Sequence, residues 1–174
     1  AFAKFGWKAH FVDPRDPDNF KKALTPKCKA IFVENLANPG GIVLDVEKIA
    51  AVARDSQIPL IVDNTMASPY LHNPIQWGAD IVIHSTTKYL SGHGTSMGGV
   101  VVESGKFDWF KAGKFPTMTQ PDPAYHGLTF YETFGDFGYT MKARMEIMRT
   151  FGPALSPMNA WMLLQGIESL PVRM

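Results

Sequence analysis

Two uninterrupted apolar runs, "PLIVDN" at residues 59–64 and "DIVIHS" at residues 80–85, leave this chain little freedom in how it can fold. Neither alternates apolar with polar side chains, so neither offers a face to water. Each reads as a parallel strand buried on both faces, and parallel strands need a helical crossover between them. The predicted class is therefore α/β, a mostly parallel sheet flanked by helices. Both runs end abruptly in polar residues. Asp63 closes the first, and Ser85-Thr86-Thr87-Lys88 closes the second. An earlier run, "AIFVEN" at residues 30–35, leads through Leu36 and Ala37 to Asn38-Pro39. Asn38 to Asp63 is 25 positions and Asp63 to Lys88 is another 25, each span holding one strand–helix–strand passage.

The segments between and beyond these runs fit the same plan. A short extended run is expected at Ala9–Val12. Asp16 and Pro17 supply an N-cap and a first-turn proline for a helix near 17–24. "LDVEKIAAVARDSQ" sets Val46, Ile49, Ala50 and Ala53 on one helical face, with Asp45 as the cap. "GGVVVES" is a further strand. "GLTFYETFGDFGYTMKARMEIMRTFG" reads as a long amphipathic helical segment interrupted by glycines, and a last helix starts at Ser156-Pro157. The methionines and aromatics of the last two segments recur at helical spacing, which points to core or subunit contacts.

Composition excludes several functional classes. At 174 residues and 45% hydrophobic the chain can bury one ordinary core, and with no repeat or low-complexity linker one domain is expected. Lys and Arg number 17 against 16 Asp and Glu, so no basic field exists to hold a nucleic-acid backbone. The single Cys28 cannot close an internal disulfide and no signal-peptide pattern opens the chain, which fits a reducing, cytoplasmic setting. No run of eighteen uncharged apolar residues occurs, so no membrane span is expected. The chain opens without a methionine, already inside a strand-like run, and stops after a helical pattern at "LPVRM". A piece of a longer subunit is the expectation.

In an open α/β sheet, ligands sit outside the carboxyl ends of the strands. There this sequence places an amide (Asn38), a carboxylate (Asp63), hydroxyls (Ser85 and Thr87) and an amine (Lys88). Taken singly, each has an ordinary use. Asn-Pro-Gly-Gly is a turn signal, aspartate accepts loop amides, strand-end hydroxyls bond nearby backbone, and a lysine after a strand is usually a solvated charge. Taken together they match what pyridoxal 5'-phosphate requires: a carboxylate for the pyridine nitrogen, an amide for the phenolic oxygen, hydroxyls for the phosphate, and a lysine that forms a Schiff base. Competing sites are weaker. "SGHGTSMGG" lacks the Gly-Lys-Ser/Thr ending of a nucleotide loop and instead suits a backbone passing close to the lysine. His84 and His93 have no third metal ligand at useful spacing, and His126 stands in a remote block.

Three separated motifs, "ENLANPGG", "VDNTMASPYLHNP" and "DIVIHSTTKYLSGHG", resemble in order and spacing those of the Cys/Met-metabolism family of pyridoxal-phosphate enzymes. By that resemblance Lys88 is the Schiff-base lysine, Asp63 the pyridinium partner, Asn38 the neighbour of the 3'-oxygen, and Ser85 and Thr87 phosphate ligands. "FPTMTQPDPAYHGLTFYETFG" and "LSPMNAWMLLQGIESLPVRM" look most like the O-acetylhomoserine sulfhydrylase branch. That branch implies γ-replacement on O-acetyl-L-homoserine by sulfide, giving L-homocysteine and acetate, in a homotetramer built from dimers. A γ-lyase or cystathionine γ-synthase is the runner-up, and a non-catalytic scaffold a third reading. The resemblance also implies a central part of the large cofactor-binding domain of an aspartate-aminotransferase-like fold. Other segments of the same subunit would then supply the remaining phosphate loop, the ring that stacks on the cofactor, the small domain and the arginine that grips the substrate carboxylate. The 174 residues alone would turn over little.

Overall fold

The computed structural model describes residues 2–174. Its centre is a four-stranded sheet in sequence order: β1 (Ile31–Glu34), β2 (Leu60–Asp63) and β3 (Ile81–Ser85) run parallel, and β4 (Gly99–Glu103) pairs antiparallel with β3. Glu34 stands beside Asp63, and Asp63 beside Ile83, so the carboxyl ends of the parallel strands lie nearly level. The α/β class expected from the apolar runs is the class found.

Helix α1 (Pro17–Ala23) starts where Asp16 accepts the Asp18 amide at 3.0 Å, and α2 (Val46–Asp55) where Asp45 accepts the Lys48 amide at 3.1 Å. The four residues assigned to the inner face of α2 are its buried ones. They pack with Phe20 of α1 against Val33, Val62 and Val82 of the sheet. Each of the valine, isoleucine and phenylalanine side chains removed from water there contributes roughly 1.5–3 kcal/mol. The β2-to-β3 crossover is compact, a short α3 (Ser68–Leu71) followed by a 3₁₀ turn at Pro74–Trp77 that packs on α2.

Both crossovers therefore cover the same face of β1 and β2, whereas β3 is buried on both faces at Ile81 and Val82, so the expectation of strands buried on two faces holds for β3 only in part and not for β2. Along β2, Leu60 and Val62 are buried whereas Ile61 and Asp63 are half-buried. Along β1, Phe32 stays 57% exposed. The residues at 9–12, expected to be extended, form no regular element and join no strand among the described residues, and Val12 only rests against the core.

After β4 the chain builds a second, aromatic cluster from α4 (Trp109–Ala112), α5 (Pro116–Thr119), α6 (Phe130–Phe134) and α7 (Gly138–Lys142). Trp109 lies flat against Tyr139, centroids 5.8 Å apart and planes 3° from parallel. A π-helical stretch at Ala143–Met148 leads into α8 (Arg149–Phe151). Gly135 and Gly152, both at positive φ, break this run as the glycine spacing predicts.

The chain ends in α9 (Pro157–Glu168), capped by Ser156, and α10 (Leu170–Arg173). Met145 packs on the aromatic cluster and Leu163 is buried, as expected of core residues, whereas Met158, Trp161 and Leu164 are exposed, as the alternative of subunit contacts allows. Gly166 is what lets α9 lie directly on the chain after β3, because a β-carbon there would collide with the carbonyl oxygens of Leu90 and Ser91. Gly166→Ala, which in an exposed helix would stabilise by about 1 kcal/mol, is therefore expected to destabilise by roughly 1–3 kcal/mol. Chemical unfolding of the two forms gives the sign.

Candidate active site

Residues 61 and 63 of β2 share a face of the sheet with 81, 83 and 85 of β3, since side chains alternate along a strand and paired residues of parallel neighbours point the same way. At the carboxyl edge of that face opens a cleft of about 890 Å³, within the size range of small-molecule sites. Asn38, Asp63, Ser85, Thr87 and Lys88 all line it. The structure thus brings together every residue singled out from the sequence.

Each is held by identifiable local bonds. Asn38 begins a tight turn in which the Gly41 amide donates to the Ala37 carbonyl at 2.7 Å, and its own amide donates to the Glu34 carboxylate at 3.0 Å. Asp63 accepts the Thr65 amide at 2.9 Å, while the Thr65 hydroxyl accepts the Ser85 amide at 2.8 Å. Thr65 therefore ties the end of β2 to the end of β3. The Thr87 hydroxyl spans both polar groups of Gly98, accepting from its amide at 3.1 Å and donating to its carbonyl at 3.3 Å. Lys88 is exposed to the cleft, and its amine has no hydrogen bond or ion pair among the described residues.

Beneath the cleft floor, Asn35 and Asn64 form a buried amide pair. Asn35 donates to the Asn64 side-chain oxygen at 2.6 Å, and Asn64, with 0% of its surface exposed, donates to the carbonyls of Ser68 and His72 at 3.1 and 2.8 Å. The Asn35 side-chain oxygen in turn accepts the Leu36 amide at 3.0 Å. The loops carrying Asn38 and Asp63 are thereby joined.

Sequence reasoning missed Glu34, Thr65, Tyr89 and Arg173, which also line the cleft. Thr65 carried a readable signal, an aspartate two residues before an amide it can accept, which is an Asx turn. Arg173 carried none, being 85 positions beyond Lys88. The glycines of "SGHGTSMGG" answer to particular neighbours: a β-carbon at Gly92 would strike the Arg173 guanidinium, and one at Gly98 would meet Thr86 and Leu155. Thr86 itself turns into the interior, its hydroxyl buried without a partner.

No group of three or more His, Cys, Asp and Glu positioned to hold a metal occurs among the described residues, and no described helix is long and apolar enough to cross a membrane. A family model described as "Cys/Met metabolism PLP-dependent enzyme" matches residues 1–174. The chain belongs to this family. It is 51% identical to the O-acetyl-L-homoserine sulfhydrylase of Leptospira meyeri, over 99% of the chain and 41% of that protein, and 43% identical to the homocysteine/cysteine synthase of Saccharomyces cerevisiae, over 99% and 39%. Among solved structures it superposes with a TM-score of 0.92 on a Campylobacter jejuni protein provisionally assigned as an O-acetylhomoserine (thiol)-lyase and solved with N'-pyridoxyl-lysine-5'-monophosphate. That match has 36% identity and covers 98% of this chain and 43% of the other. The O-acetylhomoserine sulfhydrylase of Wolinella succinogenes follows at a TM-score of 0.82 and 34% identity, covering 98% and 45%. The chain spans about two fifths of the length of these curated relatives.

Pyridoxal phosphate is the cofactor of the family, and the cleft fits it chemically. It offers an amine without a competing partner, a carboxylate on the neighbouring strand, and two hydroxyls at the strand end. His84 lies on the opposite face of β3, buried, with Nδ1 lacking a partner. Burial lowers its pKa below the ordinary 6.5, outweighing the Asn64 backbone and the Asp63 charge, which pull it up. The folded state thus keeps the ring neutral where the unfolded chain binds a proton, so this contribution to stability is intact above about 6.5 and is lost as the pH falls from there through the lowered folded-state value. Burial acts in the same direction on His72. The melting temperature should fall between pH 7.5 and 5.5, and His84→Phe should reduce that slope whatever its effect on the absolute value.

Proposed function

We propose that this chain is part of the large cofactor-binding domain of an enzyme that exchanges the acetate of O-acetyl-L-homoserine for sulfide, releasing acetate and L-homocysteine. The observation that carries the reading is the convergence of Asn38, Asp63, Ser85, Thr87 and Lys88 on one cleft at level strand ends. The choice of reaction within the family is supported by the sulfhydrylase and homocysteine synthase relatives.

Bound pyridoxal phosphate supplies an electron sink that stabilises negative charge on a substrate carbon. The chain's own groups do the rest. The Lys88 amine would hold the cofactor covalently and, as a free amine, would take and return protons at Nζ as general base and acid. Asp63 holds the proton of the ring nitrogen. At about 4 Å and an effective dielectric near 20 such a charge pair is worth on the order of 4 kcal/mol before desolvation, enough to keep that proton in place at neutral pH. The Asn38 side-chain amide would donate to the phenolic oxygen. Ser85 would donate its hydroxyl to the phosphate, and Thr87 would do so by turning its hydrogen from the Gly98 carbonyl while its oxygen keeps the bond from the Gly98 amide.

The deciding experiment is borohydride reduction of the cofactor-supplied polypeptide followed by peptide mass spectrometry. The peptide carrying Lys88 should gain a pyridoxyl phosphate, and an unmodified Lys88 would overturn the assignment. Lys88→Ala should abolish turnover while leaving cofactor bound non-covalently. Offering O-acetyl-L-homoserine with sulfide, with cysteine, or alone separates the sulfhydrylase from a cystathionine synthase and a lyase by product. Asp63→Asn should slow formation of the substrate carbanion, read as loss of α-proton exchange with deuterated solvent, by at least about 100-fold if roughly 3 of those 4 kcal/mol act in the transition state. Undiminished exchange would make Asp63 a structural turn residue.

A further inference from the structure

The amine of Lys88 is only as well placed as the turn that carries it. After β3 the Lys88 amide donates to the Ser85 carbonyl at 3.2 Å, the Ser91 amide to Thr86 at 2.9 Å, and the Gly92 amide to Lys88 at 2.8 Å. The carbonyl of Tyr89, the residue directly after Lys88, instead takes its hydrogen bond from the Arg173 guanidinium, at 2.8 Å. The same guanidinium donates to the Gly166 carbonyl at 2.7 Å, and through Nε to the Ser169 hydroxyl at 3.0 Å. Ser169 then donates to Gly166 at 3.1 Å.

From this geometry we infer that Arg173 is a positioning residue for Lys88, a single fork that closes the carboxyl end of the lysine turn and the carboxyl end of α9 at once. It rests on the pyridoxal-phosphate reading of Lys88 given above. Helical ends leave carbonyls without intrahelical donors, and a cation is favoured there. A planar guanidinium spreads its donors at fixed angles over three nitrogens and so meets acceptors on two elements together, where a compact lysine ammonium offers three donors from a single nitrogen. No carboxylate pairs with Arg173 among the described residues, so its bonds go to the turn and the helix.

Two glycines carry the same message independently. Gly92, at φ +71°, leaves room for the guanidinium to lie against the lysine turn. Gly166 leaves room for α9 to touch the carbonyls of Leu90 and Ser91. The turn is clamped from sequence positions more than seventy residues away, and Arg173 is the polar part of the clamp. Because a displacement of about 1 Å at a reacting group can cost on the order of 100-fold in rate, the fork acts on catalysis by holding the turn that carries Lys88.

The test uses the whole polypeptide that contains these residues, as wild type, Arg173→Met, Arg173→Lys and Ser169→Ala. Amide hydrogen exchange over residues 88–92, measured before cofactor is added, should accelerate at least about tenfold in Arg173→Met, because local opening there loses its cap. With pyridoxal phosphate present, the fraction trapped on Lys88 by borohydride and kcat should both fall about 10- to 100-fold, with KM for O-acetyl-L-homoserine changing less than about threefold. Arg173→Lys should recover part of the loss, and Ser169→Ala should show the same pattern at smaller size. If Arg173→Met fails to fold, these two milder variants decide. Unchanged exchange together with unchanged trapping would overturn the positioning role. Wild type that carries no pyridoxyl group at Lys88 would instead overturn the cofactor reading, and the exchange result would stand apart from it.

Discussion

Parallel pairing of β1, β2 and β3, with Glu34 beside Asp63 and Asp63 beside Ile83, is the constraint from which the site follows. In a parallel ladder the chain must return to the same end before each new strand, so every strand leaves the sheet at one edge. A shift of one residue in β2 would turn Asp63 to the opposite face and send Val62 out of the core. The register is protected by that penalty: Val33, Val62 and Val82 are buried together beneath α2. The hydrophobic core therefore sets the height and the facing of the carboxylate as well as the stability of the sheet.

Polar side chains then convert level strand ends into one cleft. The Asn35–Asn64 pair and Thr65 bind loops that the sheet alone would leave independent. A buried amide left without its partners costs about 1–3 kcal/mol per group, so these loops have one arrangement that satisfies all members and few that nearly do. The uneven cover of the sheet has a matching consequence. Both crossovers lie on one face, which leaves the other open at the edge where Asp63, Ser85 and Lys88 emerge.

The turn after β3 depends on long-range packing in a way the other loops do not. Its glycines look like flexibility in isolation, yet Gly92 and Gly98 are each fitted to a specific neighbour, Arg173 in one case and Thr86 with Leu155 in the other. Small residues here serve close approach of the carboxyl-terminal helices to the lysine turn. The amine ends up on a turn braced on both sides, with two carboxylates, Glu34 and Asp63, and a second cation, Arg173, lining the same cleft.

Much of this was legible in the chain itself. Continuous apolar runs mark the strands of the sheet, although burial on both faces is reached only at Ile81 and Val82 of β3, and the caps at Asp16, Asp45 and Ser156 define helix starts because orphan amides need acceptors. The equal spacing of Asn38, Asp63 and Lys88 announced a shared edge, since each interval holds one crossover. These signals are local, or repeat with the period of one supersecondary unit. Tertiary structure alone decided that both crossovers take one face, that residues 9–12 remain unpaired, that Thr65 bridges two strand ends, and that Arg173 holds the turn of Lys88. The reason is physical: a hydrogen bond across 84 positions depends on where two separately folded elements come to rest, and no short window of sequence contains that information.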